Sequence, residues 1–424
     1  MIRIFHQLLL AAVCCLPLVA QAQSVADDQL SLDRLVAEAK ALNPELKAGE
    51  ARWQTFISRA RQAGTLDDPM LMFKIQNALL RFPLNFEHDV MTAKVIGISQ
   101  MLPFFGKRDL ARRSADLEAE VSRWSYEERK IELERMLRES WYQLYVIDRS
   151  LEIIERNIVL LNDLATAAEA LYGVGGGLQQ GVLRAQLERS KMEGQRISLR
   201  QQRQSLAARI NTLAFRPPTL AVPLIPMLEI TVISRKAEEL EKLAEEHRPL
   251  LRGLQLAMEK AQVGRSLAEK EKYPDTTVSL EYMQREPAMG EPGYDMYSAA
   301  VSFNLPVQQQ RRQAMLAEAE SEKLMAVQEI EVVRNEIRFG IADGLARLER
   351  NRRLIELYQD GIIPQAEINL EASMASYRVG QNEFMNVLES QMALFSNQQE
   401  YYEAIAEHEM VLVQLEALVG LRLQ

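Results

Sequence analysis

The chain has 424 residues and a formal net charge of −9; glycine, proline and aromatic residues are scarce, and leucine, alanine, glutamate, glutamine and arginine dominate. This is the composition of long helices, and the acidic balance argues against nucleic-acid partners. Beyond the N-terminus no apolar run reaches the length that a membrane-spanning helix needs, so an α-helical membrane protein is not expected.

The first 22 residues have the pattern of a secretory signal peptide. Arg3 supplies a positive start, an apolar core follows, and Ala20-Gln21-Ala22 is a small-x-small cleavage site. The apolar core is too short for a membrane anchor. Cys14 and Cys15 are the only cysteines, so the mature chain would have neither disulfides nor thiolate metal sites. Whether the N-terminus is acylated stays open.

The remaining chain consists of two copies of one unit. Tyr172-Gly173-Val174-Gly175 matches Tyr377-Arg378-Val379-Gly380 at an offset of 205 residues, and Pro44 matches Pro249 at the same offset. Self-similarity on this scale indicates a tandem duplication. The predicted divisions are a signal peptide at 1–22, a first repeat at 23–215, a linker at 216–233 and a second repeat at 234–424.

In chain order, each repeat is expected to begin with a helix and to continue with two strands. The first helix is predicted from Leu30-Ser31-Leu32-Asp33 past Pro44 to about Gly64. The predicted strands are Met70–Leu79 and Met91–Met101 in the first repeat, and Thr276–Tyr282 and Tyr297–Asn304 in the second. Apolar and polar residues alternate along them, which is typical of two-faced strands in outer-membrane barrels and in soluble antiparallel sheets alike.

A very long helix is expected after each strand pair. In the first repeat no proline occurs between Gly106 and Tyr172. Apolar residues repeat there at the coiled-coil spacing of seven: Leu110, Leu117, Trp124 and Ile131. A helix of about 67 residues would be about 100 Å long and could not lie within one compact domain. It must therefore pack along equally long neighbours, for which the return helices predicted at Gln179–Leu213 and Asn382–Val419 are the candidates.

This order of elements, with the segment Ser99–Arg108 after the strands and a Tyr-x-x-Gly turn after the long helix, resembles the TolC-type outer-membrane efflux channels. Ile98–Arg108 and Leu30–Asp33 are most similar to the cation-efflux branch typified by CusC and CzcC. The resemblance implies a mainly α homotrimer, in which long coiled-coil helices form a periplasmic α-barrel. Four strands from each protomer would form a 12-stranded trimeric β-barrel in outer-membrane lipid. Threefold closure also makes physical sense, because four strands alone leave two unpaired edges in lipid.

The resemblance further implies an outer-membrane exit duct of a tripartite efflux system, with no enzymatic activity, cofactor or bound metal of its own. Substrate, with metal cations favoured over drugs or type I secretion cargo, would come from an inner-membrane pump, of RND type, through a periplasmic adaptor (membrane fusion protein). No His-Glu-x-x-His motif or nucleophile elbow occurs in the sequence. The alternative from another class is a periplasmic coiled-coil scaffold or adaptor without a pore.

In the family, the turns at the far ends of the long helices dock the adaptor. The residues that match are Tyr172, Gly173, Val174, Gly175, Tyr377, Val379 and Gly380. A plain helix C-cap is the alternative, because glycine tolerates left-handed dihedrals there, and both roles can hold together. The first copy departs from the second by its three consecutive glycines, so adaptor docking at the first turn is open.

The family's pore constriction carries acidic residues nine and twelve positions after the second tyrosine. Here those positions are Asn386 and Glu389, while the first repeat has Gly181 and Arg184. Threefold assembly would turn Glu389 into a ring of carboxylates, which favours cations in a narrow pore. A solvated helix face is the alternative for this residue.

The polar faces of the strands are expected to line the barrel lumen. The residues concerned are Lys74, Gln76, Ser279, Glu281 and Asn304. Three nearby methionines, Met283, Met289 and Met296, lack a fixed spacing and are interpreted as apolar filler rather than as a metal relay.

Overall fold

The computed structural model describes residues 31–423 except 82, 84, 176 and 177, so the predicted signal peptide lies outside the described residues. Both repeats have the same order of elements. The first contains α1 (Leu32–Leu42), α2 (Pro44–Ala63), β1 (Met70–Gln76), β2 (Ala93–Leu102), α3 (Lys107–Gly173) and α4 (Gln179–Leu213). The second contains α5 (Ala237–His247), α6 (Pro249–Lys270), β3 (Thr276–Arg285), β4 (Met296–Phe303), α7 (Gln309–Leu357), a π turn (Tyr358–Ile362), α8 (Ile363–Arg378) and α9 (Phe384–Val419).

The prediction of one continuous first helix was wrong, because the chain breaks at Asn43. Its side-chain oxygen accepts hydrogen bonds from the backbone N–H groups of Glu45 (2.8 Å) and Leu46 (3.4 Å) and so caps α2. The next residue, Pro44, disfavours helical dihedrals at Asn43 but suits the first position of a helix. The second repeat breaks at the corresponding place, with Arg248 extended before Pro249.

The predicted strands are confirmed, with shifted ends. They form one antiparallel sheet in the order β1-β2-β3-β4. Pairing of β2 with β3, from Ala93 opposite Arg285 to Leu102 opposite Thr276, joins the two repeats. The outer sides of β1 and β4 pair with no other described strand, so the sheet has two open edges.

The register separates the side chains of the sheet into two unlike faces. Lys74, Val95 and Met283 lie in one row on the first face, hereafter the polar face, where Gln76, Ser279 and Glu281 also lie. The other face, hereafter the apolar face, carries large side chains that are 43–83% exposed: Leu71, Phe73, Ile75, Ile96, Ile98, Val278, Leu280, Tyr282, Tyr297, Val301 and Phe303. A sheet that buried this face in its own core would not show such exposure.

The long helix of the first repeat is confirmed. With 67 residues, α3 is about 100 Å long. Its half nearer the sheet packs against α2 and α6, and its far half packs against α4 and α9. The return helix α4 has the predicted bounds, whereas α9 begins at Phe384, two residues later than predicted. No helix in the described part of the chain combines the length and apolarity that crossing a membrane requires.

The second long helix is not uniform, in contrast to the prediction. Five residues, Tyr358–Ile362, form a π turn between α7 and α8. Pro364, in the first turn of α8, has no N–H to donate to the carbonyl of Asp360, and its ring would collide with that carbonyl in a regular helix. Widening the turn relieves this conflict without ending the helix.

Residues 214–236 form neither helix nor strand and are hereafter called the strap. The strap is pinned to the helices by buried charged side chains. The carboxylate of Asp148, fully buried, accepts hydrogen bonds from Arg203 Nε (2.6 Å) and from the backbone N–H of Ile225 (3.1 Å). Glu409 accepts one from the N–H of Thr231 at 2.8 Å. These contacts fix the strap across α3, α4 and α9.

Candidate functional site

The two Tyr-x-x-Gly turns lie at the same end of the helices, far from the sheet. A shared core holds them there, with Leu164 from α3, Val182 from α4, Leu370 from α8 and Phe384 from α9. Helices α4 and α9 approach each other closely here, since a Cβ on Gly181 would lie 3.4 Å from the Cβ of Phe384. The end formed by the two turns is hereafter the tip.

Both turns have the same backbone geometry. Gly175 has φ of 75° and Gly380 has φ of 74°, and each follows a valine with φ of −99°. The N–H of each glycine donates to the carbonyl of the tyrosine three residues earlier at 3.0 Å. Each turn is therefore a helix C-cap that requires glycine for its left-handed dihedral.

The two turns differ in what they expose. Tyr172 is 50% exposed, whereas Tyr377 is 8% exposed and packs edge-on against Phe384 with ring centroids 5.8 Å apart. Tyr377 thus supports the second turn from within the core. The described surface of the tip includes Val174 and Val379, which are 81% and 67% exposed. A Cβ added at Gly173, Gly175 or Gly380 would meet no other atom within 4 Å.

Asn386 and Glu389 lie on the exposed face of α9, one turn apart and close to the tip. Asn386 Nδ2 donates to Asn382 Oδ1 at 2.5 Å. Glu389 has no hydrogen-bond or ion-pair partner among the described residues. In the first repeat the same position holds Arg184, which pairs with Glu188 at 3.5 Å. Among these four positions only Glu389 carries a carboxylate, and its side chain is exposed and unpaired among the described residues.

Four of the five predicted lumen residues share the polar face of the sheet. Lys74 Nζ lies 3.1 Å from Glu281 Oε2 across that face, which Gln76 and Ser279 also occupy. Asn304 lies beyond the end of β4, where it exchanges hydrogen bonds with Asp275. The predicted strand therefore ended one residue too late, and the place of Asn304 in the lumen stays a prediction.

The structure adds a cluster that sequence reasoning did not assign. Lys107 is 6% exposed, and its Nζ contacts both carboxylate oxygens of Asp275 (3.0 and 3.2 Å) and the carbonyl of Tyr273 (3.2 Å). Partial burial opposes ionisation of Asp275, but hydrogen bonds from the Phe104 N–H and Lys107 outweigh it and leave its pKa below the usual range. This cluster ties the first residue of α3 to the residue that precedes β3. The sequence signal that could have indicated it is a lysine a few residues after the end of β2.

No group of three or more His, Cys, Asp or Glu side chains among the described residues is arranged to hold a metal ion. Met283 and Met296 are cross-strand partners on the sheet, and Met289 lies in the connection between them, 81% exposed.

The architecture is that of outer-membrane channels of known structure. The chain is similar to VceC from Vibrio cholerae, with a TM-score of 0.78 and 18% identity over 93% of this chain and 97% of VceC. It is similar to CusC with a TM-score of 0.77 and 15% identity over 93% of both chains. Similarity to the open state of MtrE from Neisseria gonorrhoeae has a TM-score of 0.76 and 15% identity over 93% of this chain and 89% of MtrE.

Residues 240–421, almost the whole second repeat, match the family model described as outer membrane efflux protein. No curated protein matches the sequence significantly. The second repeat therefore carries the sequence pattern of that family, and 93% of the chain shares the fold of the solved structures of VceC and CusC. Similarity to CusC is no stronger than similarity to VceC, so the fold does not single out the predicted cation-efflux branch.

Proposed function

We propose that the chain is the outer-membrane exit duct of a tripartite efflux system and that it works as a homotrimer. The helical part would lie in the periplasm and the sheet in the outer membrane. The duct would conduct substrate passively, since energy coupling belongs to an inner-membrane pump.

The observation that carries this proposal is the exposed apolar face of the sheet. Eleven large side chains on that face have no cover from the described chain, while the opposite face holds Lys74 paired with Glu281. An apolar outside and a polar inside are what a closed sheet in lipid requires. The two open edges at β1 and β4 support closure with further copies, because unpaired strand edges are untenable in hydrocarbon. Three copies would give the 12-stranded barrel.

At the other end, the tip would dock the adaptor. The exposed valines and open glycine backbone of both turns support this role, as exposed backbone and apolar side chains suit docking of a helical hairpin. Glu389 would line the constriction close to the tip.

The proposed substrate is a metal cation, delivered by an RND-type pump. Its support is the resemblance of Ile98–Arg108 and Leu30–Asp33 to the cation-efflux branch, together with the unpaired carboxylate of Glu389. Drug efflux and type I secretion by a channel of the same fold are the competing outcomes of the test below.

The test combines membrane fractionation with a susceptibility panel on a deletion strain. Metal salts, dyes, detergents and antibiotics would be compared, with either the wild-type chain or the Gly380→Val variant as the complement. We expect outer-membrane localisation, heat-modifiable migration and metal sensitivity that only the wild type reverses. Sensitivity to drugs alone would retain the duct and reject the metal assignment. Recovery in the soluble periplasmic fraction would instead support a scaffold without a pore.

A further inference from the structure

The end of the sheet nearest the helices carries large apolar side chains that nothing in the described chain covers. Phe105, Leu305 and Val307 are 88%, 75% and 77% exposed. They follow β2 and β4 within a few residues of the strand ends. Isolated exposed apolar residues are ordinary on protein surfaces, but three of them shortly after the ends of two strands of one sheet define a surface.

The three chain segments at this level are fixed to one another. The ring of Phe104 stacks on Tyr273 with centroids 4.5 Å apart. Lys270 Nζ donates to the carbonyl of Phe105 at 3.1 Å, and Arg312 Nε donates to the carbonyl of Glu271 at 2.8 Å. Residues 104–108, 270–275 and 304–312 therefore form one rigid unit, hereafter the collar.

The basic side chains of the collar fall into two groups. Lys107, Lys270 and Arg312 are engaged within it, and Lys107 also engages the collar carboxylates Asp275 and Glu271 at 3.0 and 3.5 Å. A second group is exposed and has no carboxylate partner in the described part of the chain: Arg108, Lys272 and Arg311. Lys272 lies 5.4 Å from the ring centre of Tyr273. Asp109 is the exposed carboxylate next to Arg108, and the two form no ion pair.

The length of the strands determines how deep in the bilayer the collar would lie. Strands β2 and β3 each have 10 residues, and at a tilt of about 40° that length spans about 25 Å, the height of the apolar band in outer-membrane barrels. A sheet immersed by its apolar face therefore places the collar at the level of the lipid headgroups. Arginine and lysine beside exposed aromatic and aliphatic residues are what that layer favours.

We propose that the collar is a binding surface for anionic phospholipid headgroups. Arg108, Lys272 and Arg311 pair with lipid phosphates, and Phe105, Leu305 and Val307 enter the boundary of the acyl chains. The proposal rests on the proposed function, because it requires the sheet to lie in a bilayer. It goes further by naming the lipid class and the residues that select it.

Native mass spectrometry of the full chain in detergent, with phosphatidylglycerol or phosphatidylcholine added at equal concentration, tests the selection. We expect the wild type to retain phosphatidylglycerol about a hundredfold better, and each of the three cations that is neutralised to lower this preference about fivefold. The variant R108Q/K272Q/R311Q should lose the preference. The charge-preserving variant R108K/R311K should keep it.

The matched control is K47Q/R52Q/R209Q, which also removes one lysine and two arginines that are exposed and unpaired, on α2 and α4. An equal loss in this control, or no lipid preference in the wild type, would overturn the collar as a specific surface. If the triple variant lacks the circular dichroism of the wild type, the single variant R311Q is measured instead. Its preference for phosphatidylglycerol should be about fivefold lower than that of the wild type.

Insertion into two kinds of vesicle, one of phosphatidylcholine alone and one that also contains phosphatidylglycerol, separates the two proposals. A wild-type chain that inserts and conducts there but shows no preference for phosphatidylglycerol leaves the duct standing and rejects the collar. A chain that fails to insert into either lipid rejects the duct, and the collar with it.

Discussion

At the residue scale, buried charges hold together elements that are distant in sequence. Arg138 on α3 and Glu416 on α9 are 4% and 5% exposed and form an ion pair, and the same carboxylate accepts a hydrogen bond from the N–H of Leu423 at 2.9 Å. Such pairs add little net stability, but removing one partner leaves an uncompensated charge. Their role is to fix which helix faces which.

The carboxylate of Glu403 on α9 is less favourable in the folded chain than in the unfolded chain. Partial burial, followed by the negative charge of Glu400, raises the pKa of the Glu403 carboxyl. An acid whose pKa is raised on folding reduces stability as pH rises above about 4.3, and has no such effect in stronger acid. We therefore expect Glu403→Gln to raise the Tm slightly at pH 7.5, equivalent to roughly 0.2–0.5 kcal/mol, and to leave it unchanged near pH 3.

Thermal melts of the purified protein at the two pH values measure this effect. Glu336→Gln, which neutralises an exposed and unpaired carboxylate in the middle of α7, is the control and should not change the Tm. A Glu403 variant with the wild-type Tm at pH 7.5 would show that Glu403 carries no such penalty.

Glu389 allows a test of the proposed constriction, because its side chain is exposed and unpaired among the described residues. In a trimer, Glu389→Gln removes three negative charges from the proposed constriction. We expect single-channel recordings in planar bilayers to show reduced cation selectivity and weaker block by divalent cations. The Glu336→Gln variant should behave like the wild type. Unchanged selectivity in the Glu389 variant would place the constriction elsewhere.

At the element scale, the sequence predicted most of the architecture because the deciding signals are local. Alternation of residues on β3 and β4 and the uninterrupted apolar repeat of α3 need no knowledge of the fold. The missed features depend on backbone chemistry or on distant partners. Asn43 caps α2 and so separates it from α1, and Pro364 causes the π turn between α7 and α8. Lys107 contacts Asp275 only after the strands have paired.

The candidate site was predicted less fully, for the same reason. The repeat located both turns and their glycines, since a left-handed C-cap requires glycine whatever surrounds it. It could not show that Tyr172 is exposed and Tyr377 buried, because that difference arises from the packing of Phe384.

The two faces of β3 allow a paired test of lipid exposure. Leu280, in the middle of the strand, lies on the apolar face, and its neighbour Ser279 lies on the polar face. A charge at the lipid-facing midplane costs about 2–4 kcal/mol, so Leu280→Arg should reduce the folded, heat-modifiable fraction in outer membranes. Ser279→Arg should leave that fraction near the wild-type level, and equal losses would contradict the assignment of the faces.

Gly380 allows a test of adaptor docking at the second turn. Its φ of 74° would cost any other residue about 1–2 kcal/mol. We expect Gly380→Val to keep normal amounts of protein in the outer membrane but to abolish adaptor cross-linking and resistance. Gly194→Val on α4, where a Cβ meets nothing within 4 Å, is the control and should retain both. Normal cross-linking in the Gly380 variant would remove the second turn from the docking site.

At the scale of the whole molecule, α3 sets the size of the particle. A helix of 67 residues fixes a length of at least about 100 Å. Small-angle scattering in detergent should give a maximum dimension above that value, and sedimentation should give three chains per particle. A compact monomer would contradict both the extended fold and the proposed closure of the sheet.

The strap and the chain ends together have a consequence for gene architecture. Arg422 pairs with Asp33 at 3.0 Å, so the two ends of the described chain meet beside each other. The strap, in turn, is the only covalent link between two repeats that β2 and β3 already join by ten residue pairs. Joining the ends and opening the strap would give a circular permutant with the same contacts. We therefore expect the pairing of β2 with β3 to form whichever repeat comes first in the coding sequence.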